Sequence, residues 1–458
     1  MKIPQHLIDK YNTPVPRYTS YPPANFFKNT FTPKDYTRWL QQSNHEPMQN
    51  ISIYIHIPFC PKICYYCGCN THVTSNVDKM RDYVNAVKTE IRMVRKHLDS
   101  SRKVSQIHWG GGTPNSLPAE MTGEIMELIH SDFQFVDKPE IAMECHPAML
   151  NENYIKKLEA LKFNRFSLGI QDFKQDVLNN VNRDAPVMPV EELVALIRSH
   201  KNIRVNLDFI YGLPSQDEKS FAQTIARAIE ISPDRLVTFS YAHVPWVKKA
   251  QKILEKYGLP SAEKKMAMFE AGYRLLLQNG YKAIGLDHFA KPHDELYRAL
   301  QKHTLHRNFQ GYCTRETTGQ VFAFGATGIS QMNSAYAQNE KDTNTYIEKI
   351  NQGKFSIEKG YLLNHSEKII RYVIEQLMCN YFLSWKEAEN TLQKSVAEIK
   401  NTIKYNEKTL ETFEKEGLLN YNNESIEVNE CGKFFIRNIA SVFDPALKNS
   451  GKKFSKAL

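Results

Sequence analysis

From residue 51 onward, short apolar, β-branched runs alternate with longer runs whose apolar positions recur at helical spacing. The short runs predict strands at Ile51–Ile57, Val104–Trp109, Glu140–Cys145, Arg165–Ile170, Ile203–Ile210 and Leu236–Tyr241. The longer runs predict helices at Lys79–Leu98, Pro118–Ile129, Asn151–Leu161, Pro189–Ser199 and Glu218–Ile231. Strand–helix alternation calls for parallel strands joined by right-handed crossovers. About six such units exceed a small open sheet and fall short of a closed eight-fold barrel. The expected fold is α/β, a partial (β/α)6 TIM-like barrel of parallel strands.

The two ends read differently. Residues 1–50 are polar and rich in Pro and aromatics around Pro14-Val15-Pro16-Arg17-Tyr18-Thr19-Ser20-Tyr21-Pro22-Pro23. Proline at that density argues against regular helix or central strand, so an extended arm lying on something else is expected. Residues from about 285 to 360 look less regular. Beyond them, Ser366 opens an amphipathic helix with Ile369, Ile370, Val373, Ile374, Leu377 and Met378 on one face. Ser384-Trp385-Lys386-Glu387 has the form of a capping box, and Leu419–Tyr421 with Ser425–Val428 form a hairpin around Asn422-Asn423. The expected organisation is an arm at 1–48, the barrel at 49–285, a connecting region completing the active site at 286–360, a mostly helical winged-helix-like domain at 361–445 and a basic tail at 446–458. No repeat of solenoid period is visible.

Composition narrows the class. With 41% hydrophobic and 24% charged residues the chain is ordinary for a globular protein. No apolar run of signal-peptide type occupies the first thirty residues. None approaches the ~18 apolar residues of a membrane span, so the expected location is the cytoplasm, without a membrane partner. The net charge of +9 is spread along the chain, except for Lys448, Lys452, Lys453 and Lys456, read as a solvated tail. Of the eight cysteines, Cys60, Cys64, Cys67 and Cys69 crowd into one loop, while Cys145, Cys313, Cys379 and Cys431 stand singly as buried or inert thiols. Clustered thiols in a large chain point to metal rather than to a disulfide framework.

The cluster is Cys60-Pro61-Lys62-Ile63-Cys64-Tyr65-Tyr66-Cys67-Gly68-Cys69, directly after the first strand. Three thiolates so spaced can wrap a 4Fe–4S cubane and leave one iron open for an exogenous ligand, which distinguishes a catalytic cluster from a closed electron carrier. Cys69 offers the competing readings of a fourth ligand or a four-thiolate zinc site. Zinc knuckles draw their thiols as two separated pairs, and Cys69 sits too close to Cys67 for both to reach different corners easily. The expected metal ligands are therefore Cys60, Cys64 and Cys67. Gly110-Gly111-Gly112-Thr113-Pro114 follows the second strand, where glycines let a ligand approach backbone amides. Alone this is a weak signal. Glu144, Gln171, Asp208 and Tyr241-Ala242, however, stand at successive strand ends, the rim where parallel α/β folds bind ligands.

Tyr54-Ile55-His56-Ile57-Pro58-Phe59-Cys60 and the cysteine loop resemble the radical S-adenosylmethionine superfamily, and within it the oxygen-independent coproporphyrinogen III oxidases. The narrower likeness rests on Pro16-Arg17-Tyr18-Thr19-Ser20-Tyr21-Pro22, Cys67-Gly68-Cys69, Val181-Asn182-Arg183, Leu207-Asp208-Phe209-Ile210-Tyr211-Gly212-Leu213-Pro214, Asp287-His288-Phe289-Ala290, His306-Arg307-Asn308-Phe309-Gln310-Gly311-Tyr312 and Ile436-Arg437-Asn438. It implies a 4Fe–4S cluster on Cys60, Cys64 and Cys67, and a cluster-bound S-adenosylmethionine touched by Tyr54, Tyr66, Gly111, Gly112, Thr113, Glu144 and Ala242. It also implies a second S-adenosylmethionine at Gln171, Arg183, Asp208 and Ile329, with Tyr54 and His56 beside the reacting centre. His146-Pro147 stands where the family pattern has Asp-Pro.

The implied reaction is oxidative decarboxylation of two propionates of coproporphyrinogen III, with an unidentified low-potential electron donor and an electron acceptor, in a monomer. Arg17, Arg183 and Arg307 are candidates for the propionates. Competing readings are a radical haem-opening methyltransferase, a haem-delivery protein, and a DNA-binding regulator. For the last, Lys394, Glu398, Lys400, Lys404, Glu407 and Lys408 mix both signs instead of forming a basic stripe, so no nucleic-acid partner is expected.

Overall fold

A computed structural model describes residues 3–46, 50–200, 203–314, 319–447, 451–452 and 454–457. The chain divides into two units of interleaved segments: a larger one of Lys28–Gly272 and Glu316–Leu362, and a smaller one of Met1–Phe27, Tyr273–Arg315 and Leu363–Leu458.

In the larger unit six strands pair in chain order, all parallel: β1 (Ile51–Ile57), β2 (Lys103–Gly111), β3 (Gln134–Cys145), β4 (Arg165–Gln171), β5 (Arg204–Tyr211) and β6 (Arg235–Ser240). The helices between them are α1 (Val77–Arg95), α2 (Ala119–Asp132), α3 (Glu152–Ala160), α4 (Val190–Ser199) and α5 (Glu218–Ile231). The expected α/β class with parallel strands is what forms. Boundaries move by a few residues for local reasons. Asn76 accepts the Lys79 N–H at 3.0 Å, so α1 starts at Val77 rather than Lys79.

The sheet also extends beyond the other edge of β1, which the pattern did not foretell. β7 (Gln320–Phe324) lies parallel to β1, and β8 (Ile329–Gln331), β9 (Ala335–Asn339) and β10 (Ile357–Leu362) continue antiparallel. The stretch expected to be irregular thus supplies these four strands, with His288–Ala290, Leu305–Asn308 and Gly311–Thr314 besides. β7 and β9 are buried at every position and short, so neither carries the alternation that marks a strand from sequence.

Within the six parallel strands the two sheet faces differ in chemistry. Ile51, Ile53, Ile55 and Ile57, then Ile107 and Trp109, Ile141 and Met143, Phe166 and Leu168, and Val205 and Leu207 are all at most 1% exposed. By strand alternation the opposite face carries Tyr54 and His56, His108, Glu144, Ser167 and Asp208. Register sets these in adjacent rows: Tyr54 opposite His108, Glu144 opposite Ser167, and Asp208 opposite Gly169. One face is a dry surface and the other a polar one.

The smaller unit corrects two expectations. The arm is not uniformly extended, since Gln5–Tyr11 is helical; Pro33–Ser43, in the larger unit, is helical too. Thr32 and Asp35 form a reciprocal capping box with Pro33 at the first helical position, where proline favours a helix. The backbone of the basic tail is held, while Lys452 and Lys456 stay exposed as expected. Val15 N donates to Ser455 O at 3.2 Å and Ala457 N to Thr13 O at 2.9 Å, so arm and tail run antiparallel. Lys448 and Lys453 lie outside the described residues. Arg437, on the helix Ile436–Ser441, donates to Pro16 O (3.1 Å), Lys456 O (2.9 Å) and Ala457 O (3.0 Å), and also to Val15 O. Tyr18 and Tyr21 donate to the buried Asp444 at 3.0 and 3.1 Å. Towards the C-terminus, helices His365–Asn380 and Trp385–Leu392 precede the expected hairpin. Phe382–Ser384 joins that hairpin as a third antiparallel strand.

Candidate active site

The cysteine loop leaves the carboxyl end of β1 on the polar side. Phe59–Cys60 pairs parallel with His72–Val73, which closes the loop into a lobe. Tyr65 N donates to Val181 O at 2.9 Å, and Tyr65 and Tyr66 pack on Val177, Val181, Ile210, Leu213, Tyr241 and Leu254. No disulfide joins the eight cysteines; Cys60 is buried, Cys64 and Cys67 partly so, and Cys69 exposed.

The thiols sit in distinct environments. The Cys60 Sγ lies 3.3 Å from Thr113 Oγ1, and burial pushes its thiol up to about 11. Cys67 is pulled down to about 6, first by a hydrogen bond from the Cys69 thiol. The Cys69 N–H also donates to its sulfur, at 3.4 Å. Arg183 reaches the loop from beyond the helix Gln175–Asn180. Its Nη1 donates to Tyr66 Oη at 3.1 Å and to Cys64 Sγ at 3.7 Å, and its Nη2 donates to Gly169 O.

The glycines line a cradle too narrow for a side chain. A Cβ on Gly110 would lie 2.9 Å from Glu144 Oε1, and one on Gly112 2.7 Å from Pro58 O. Gly111 has φ +116°, and a Cβ there would lie 2.7 Å from His56 Cε1. The backbone here can therefore approach a ligand closely. Gly112 N and Thr113 N donate back to Ile57 O and Phe59 O, at 2.7 and 2.9 Å, which welds the cradle to the thiol loop.

Tyr54 and His56 form a defined pair. Asn70 O, 3.3 Å from His56 Nε2, can only accept, so Nε2 carries the proton. Burial lowers His56 to about 4, leaving the ring neutral. Its Nδ1 therefore accepts from Tyr54 Oη at 3.1 Å. Glu144 lies 3.0 Å from His108 Nε2. Asp208 accepts from Ser167 Oγ at 2.8 Å through Oδ2, while its buried Oδ1 has no partner among the described residues. Burial, with Glu144 nearby, raises the carboxyl to about 7.

Gln171, at φ +68°, ends β4, and its Nε2 stands beside Arg183 Nη2 over Gly169. Ala242 follows β6, and its carbonyl and that of Tyr66 both accept from Gln251 Nε2, at 3.3 and 3.0 Å. Ile329 stands apart from this web, at the start of β8 and paired with Gln338. The turn before it is tied to His56: Tyr83 Oη donates to His56 O at 2.7 Å and accepts from Ala326 N at 2.8 Å. His146 caps the short turn after β3, its Nδ1 accepting from Ala148 N at 3.2 Å.

Sequence reasoning missed His108, Ser167, Gln251 and Tyr83. The first two were signalled by strand alternation, because each shares a face with a chosen residue; the last two depend on contacts between distant segments. Nor are the candidate propionate-binding arginines free cations. In the smaller unit Arg17 pairs with Asp287 at 2.7 Å and Arg307 stacks on Tyr312 at 4.8 Å, and Arg183 is committed as described.

The donor set fits a multinuclear cluster. Among the described residues no three His, Cys, Asp or Glu side chains converge to hold a single ion. A cubane does not need them to, because each thiolate takes its own iron. The unpartnered Asp208 oxygen and the side-chain-free cradle leave room and a hydrogen-bond acceptor for an organic ligand.

Residues 54–228 match the radical SAM superfamily. The chain is 39% identical over 455 residues to the oxygen-independent coproporphyrinogen III oxidase of Synechocystis sp., covering 99% of this chain and 97% of that one. It is 38% identical over 457 residues to that of Escherichia coli, covering 99% and 98%. The solved structure of the Escherichia coli coproporphyrinogen III oxidase, described as a radical SAM enzyme, superposes with a TM-score of 0.89 at 35% identity, over 97% of this chain and 99% of that one. With likeness of that degree over its whole length, and with the thiol loop at the head of its polar sheet face, this chain belongs to the oxygen-independent coproporphyrinogen III oxidases of the radical SAM superfamily.

Proposed function

We propose that this protein oxidatively decarboxylates two propionates of coproporphyrinogen III to vinyl groups, giving protoporphyrinogen IX, without oxygen and as a cytoplasmic monomer. The observation that carries the reading is the full-length likeness to coproporphyrinogen III oxidases in sequence and fold. Among the described residues no helix is long and apolar enough to cross a membrane.

In this reading Cys60, Cys64 and Cys67 hold a 4Fe–4S cluster with one open iron. Bound there with S-adenosylmethionine, it supplies a 5′-deoxyadenosyl radical able to take a hydrogen from the propionate β-carbon. The chain's own groups bind and orient. Glu144 offers a carboxylate to the cofactor's ammonium, and the amides and carbonyls of Gly111, Gly112, Thr113 and Ala242 approach it unobstructed, with Tyr54 and Tyr66 at its flanks. Asp208, with Gln171, Arg183 and Ile329, offers the second S-adenosylmethionine a free carboxylate oxygen and a guanidinium. His56, neutral and donating from Nε2, receives the Tyr54 hydroxyl, so neither is a cation that a substrate carboxylate would trap. The burial of His56, Thr113 and Arg183 limits water at this part of the rim. Cys69 supports Cys67 by hydrogen bonds instead of binding iron.

Anaerobic reconstitution with coproporphyrinogen III, dithionite and S-adenosylmethionine should yield carbon dioxide and 5′-deoxyadenosine, read by mass spectrometry. Cys64→Ser should abolish both, whereas Cys69→Ser should retain a reducible cluster. Full activity in the Cys64 variant defeats the reading. Haem turnover without decarboxylation would replace it with the haem-directed alternatives.

A further inference from the structure

We propose that the surface carrying Trp246, Val247, Lys249, Lys252 and Lys256 docks an acidic one-electron carrier protein of the flavodoxin kind, which reduces the cluster. This rests on the proposed function, because only a reductive cleavage needs such a donor.

Trp246 and Val247 are 68% and 64% exposed, the most exposed of the large apolar side chains named among the described residues. Neighbouring apolar groups left this open to water mark a contact surface. Their position ties them to the thiol loop. The next residue, Lys248, donates from Nζ to Cys69 O at 2.6 Å. Gln251, 1% exposed, donates to Tyr66 O at 3.0 Å and accepts from Val244 N at 2.6 Å. The exposed pair is thus part of the wall that backs the thiols, and a carrier seated there lies against the loop it must reduce.

The segment that follows the pair is mostly cationic. Lys249, Lys252 and Lys256 are exposed, and the acid among them, Glu255, is engaged by His243 at 3.0 Å. An exposed apolar pair followed by a segment with three exposed lysines against one acid complements an acidic partner and steers its encounter. A small reductant such as dithionite has no use for such a surface. The electron count closes: each cleavage takes one electron, the carrier is oxidised by one, and the cluster on Cys60, Cys64 and Cys67 is reduced by one.

Two measurements test this, on the full chain, with an acidic flavodoxin as probe. In stopped flow, flavodoxin hydroquinone should bleach the reconstituted cluster at a rate that falls with salt. Trp246→Ala and the double variant Lys249→Glu/Lys252→Glu should each slow this about tenfold, with dithionite-driven turnover unchanged. In a calorimetric titration with oxidised flavodoxin, the same variants should bind about tenfold more weakly. The titration reads docking even if the reconstituted protein turns nothing over, so the two proposals fail separately. Wild-type binding and bleaching rates in both variants overturn the inference. So does a loss shared with dithionite, which would assign the surface to folding or substrate entry. A wild-type dimer that Trp246→Ala converts to a monomer would assign it to a second copy of this chain.

Discussion

Glu90, on α1, is 1% exposed and accepts three hydrogen bonds: from Tyr346 Oη at 2.6 Å, Gly325 N at 2.8 Å and Asn339 Nδ2 at 2.7 Å. Those donors favour the carboxylate, but burial outweighs them and raises the group from the usual 4.5 to about 7. Between those values the folded chain holds a proton that the unfolded chain has lost, so this residue's contribution to stability declines as pH rises through the window. The shift corresponds to about 3 kcal/mol. Glu90→Gln removes the titration. Measured by anaerobic urea unfolding, the stability of wild type minus variant should therefore fall by about that amount from pH 5 to pH 8. A difference independent of pH refutes the burial argument. At this scale the thiols, Glu144 and Asp208 could be read from the sequence, because polar groups at the ends of apolar runs stand out. Glu90 could not, since its partners lie on other elements and nothing in its own helix marks it as buried.

The element that most directly supports the site is the turn between β7 and β8. Gly325, at φ +97°, passes so close to β1 that a Cβ there would lie 2.4 Å from Tyr83 Oη and 2.6 Å from His56 O. Tyr83 spans the contact with two hydrogen bonds, one to each side. Tyr83→Phe leaves a buried carbonyl and a buried amide unpaired and should cost roughly 1–3 kcal/mol in unfolding. An unchanged midpoint would mean that the turn is held by Glu90 and packing alone. Gly111→Ala makes the matching test on the other side. Its positive φ and the clash with His56 should lower stability by about 1–3 kcal/mol, measured by the same unfolding. Legibility at this scale follows length and alternation. β1 to β6 were found because each is an apolar run that adjoins an amphipathic helix in the sequence. β7 to β10 were missed because short, fully buried or antiparallel strands have no such companion, and the helix at Pro33 was hidden by averaging its proline with those at 14–23.

Across the smaller unit, Arg437 gathers both chain ends on one guanidinium. Its acceptors are backbone carbonyls of the arm and the tail, and a lysine cannot reach them all from one planar fork. Arg437→Ala should destabilise the unit by at least about 3 kcal/mol, since hydrogen bonds from a charged group are worth about 1.5–3 kcal/mol each. It should also open residues near 13–17 and 455–457 to limited proteolysis. A digestion pattern identical to wild type would show that Tyr18, Tyr21 and Asp444 hold the arm unaided. None of this was legible in the sequence, where prolines and lysines at the ends suggested an extended arm and a solvated tail. Pairing between segments some four hundred residues apart leaves no local signature.

That pairing sets a timetable for the nascent chain. The arm leaves the ribosome some four hundred residues before its partners, Arg437 and the tail, are made. At roughly 5–20 residues per second the wait is on the order of tens of seconds. Throughout it Tyr18 and Tyr21 have no carboxylate to meet and Val15 no carbonyl. The larger unit can assemble much of its sheet in that interval, whereas the smaller one can close only once Arg437 and the tail have emerged, which makes the waiting arm the segment most in need of a chaperone's shelter.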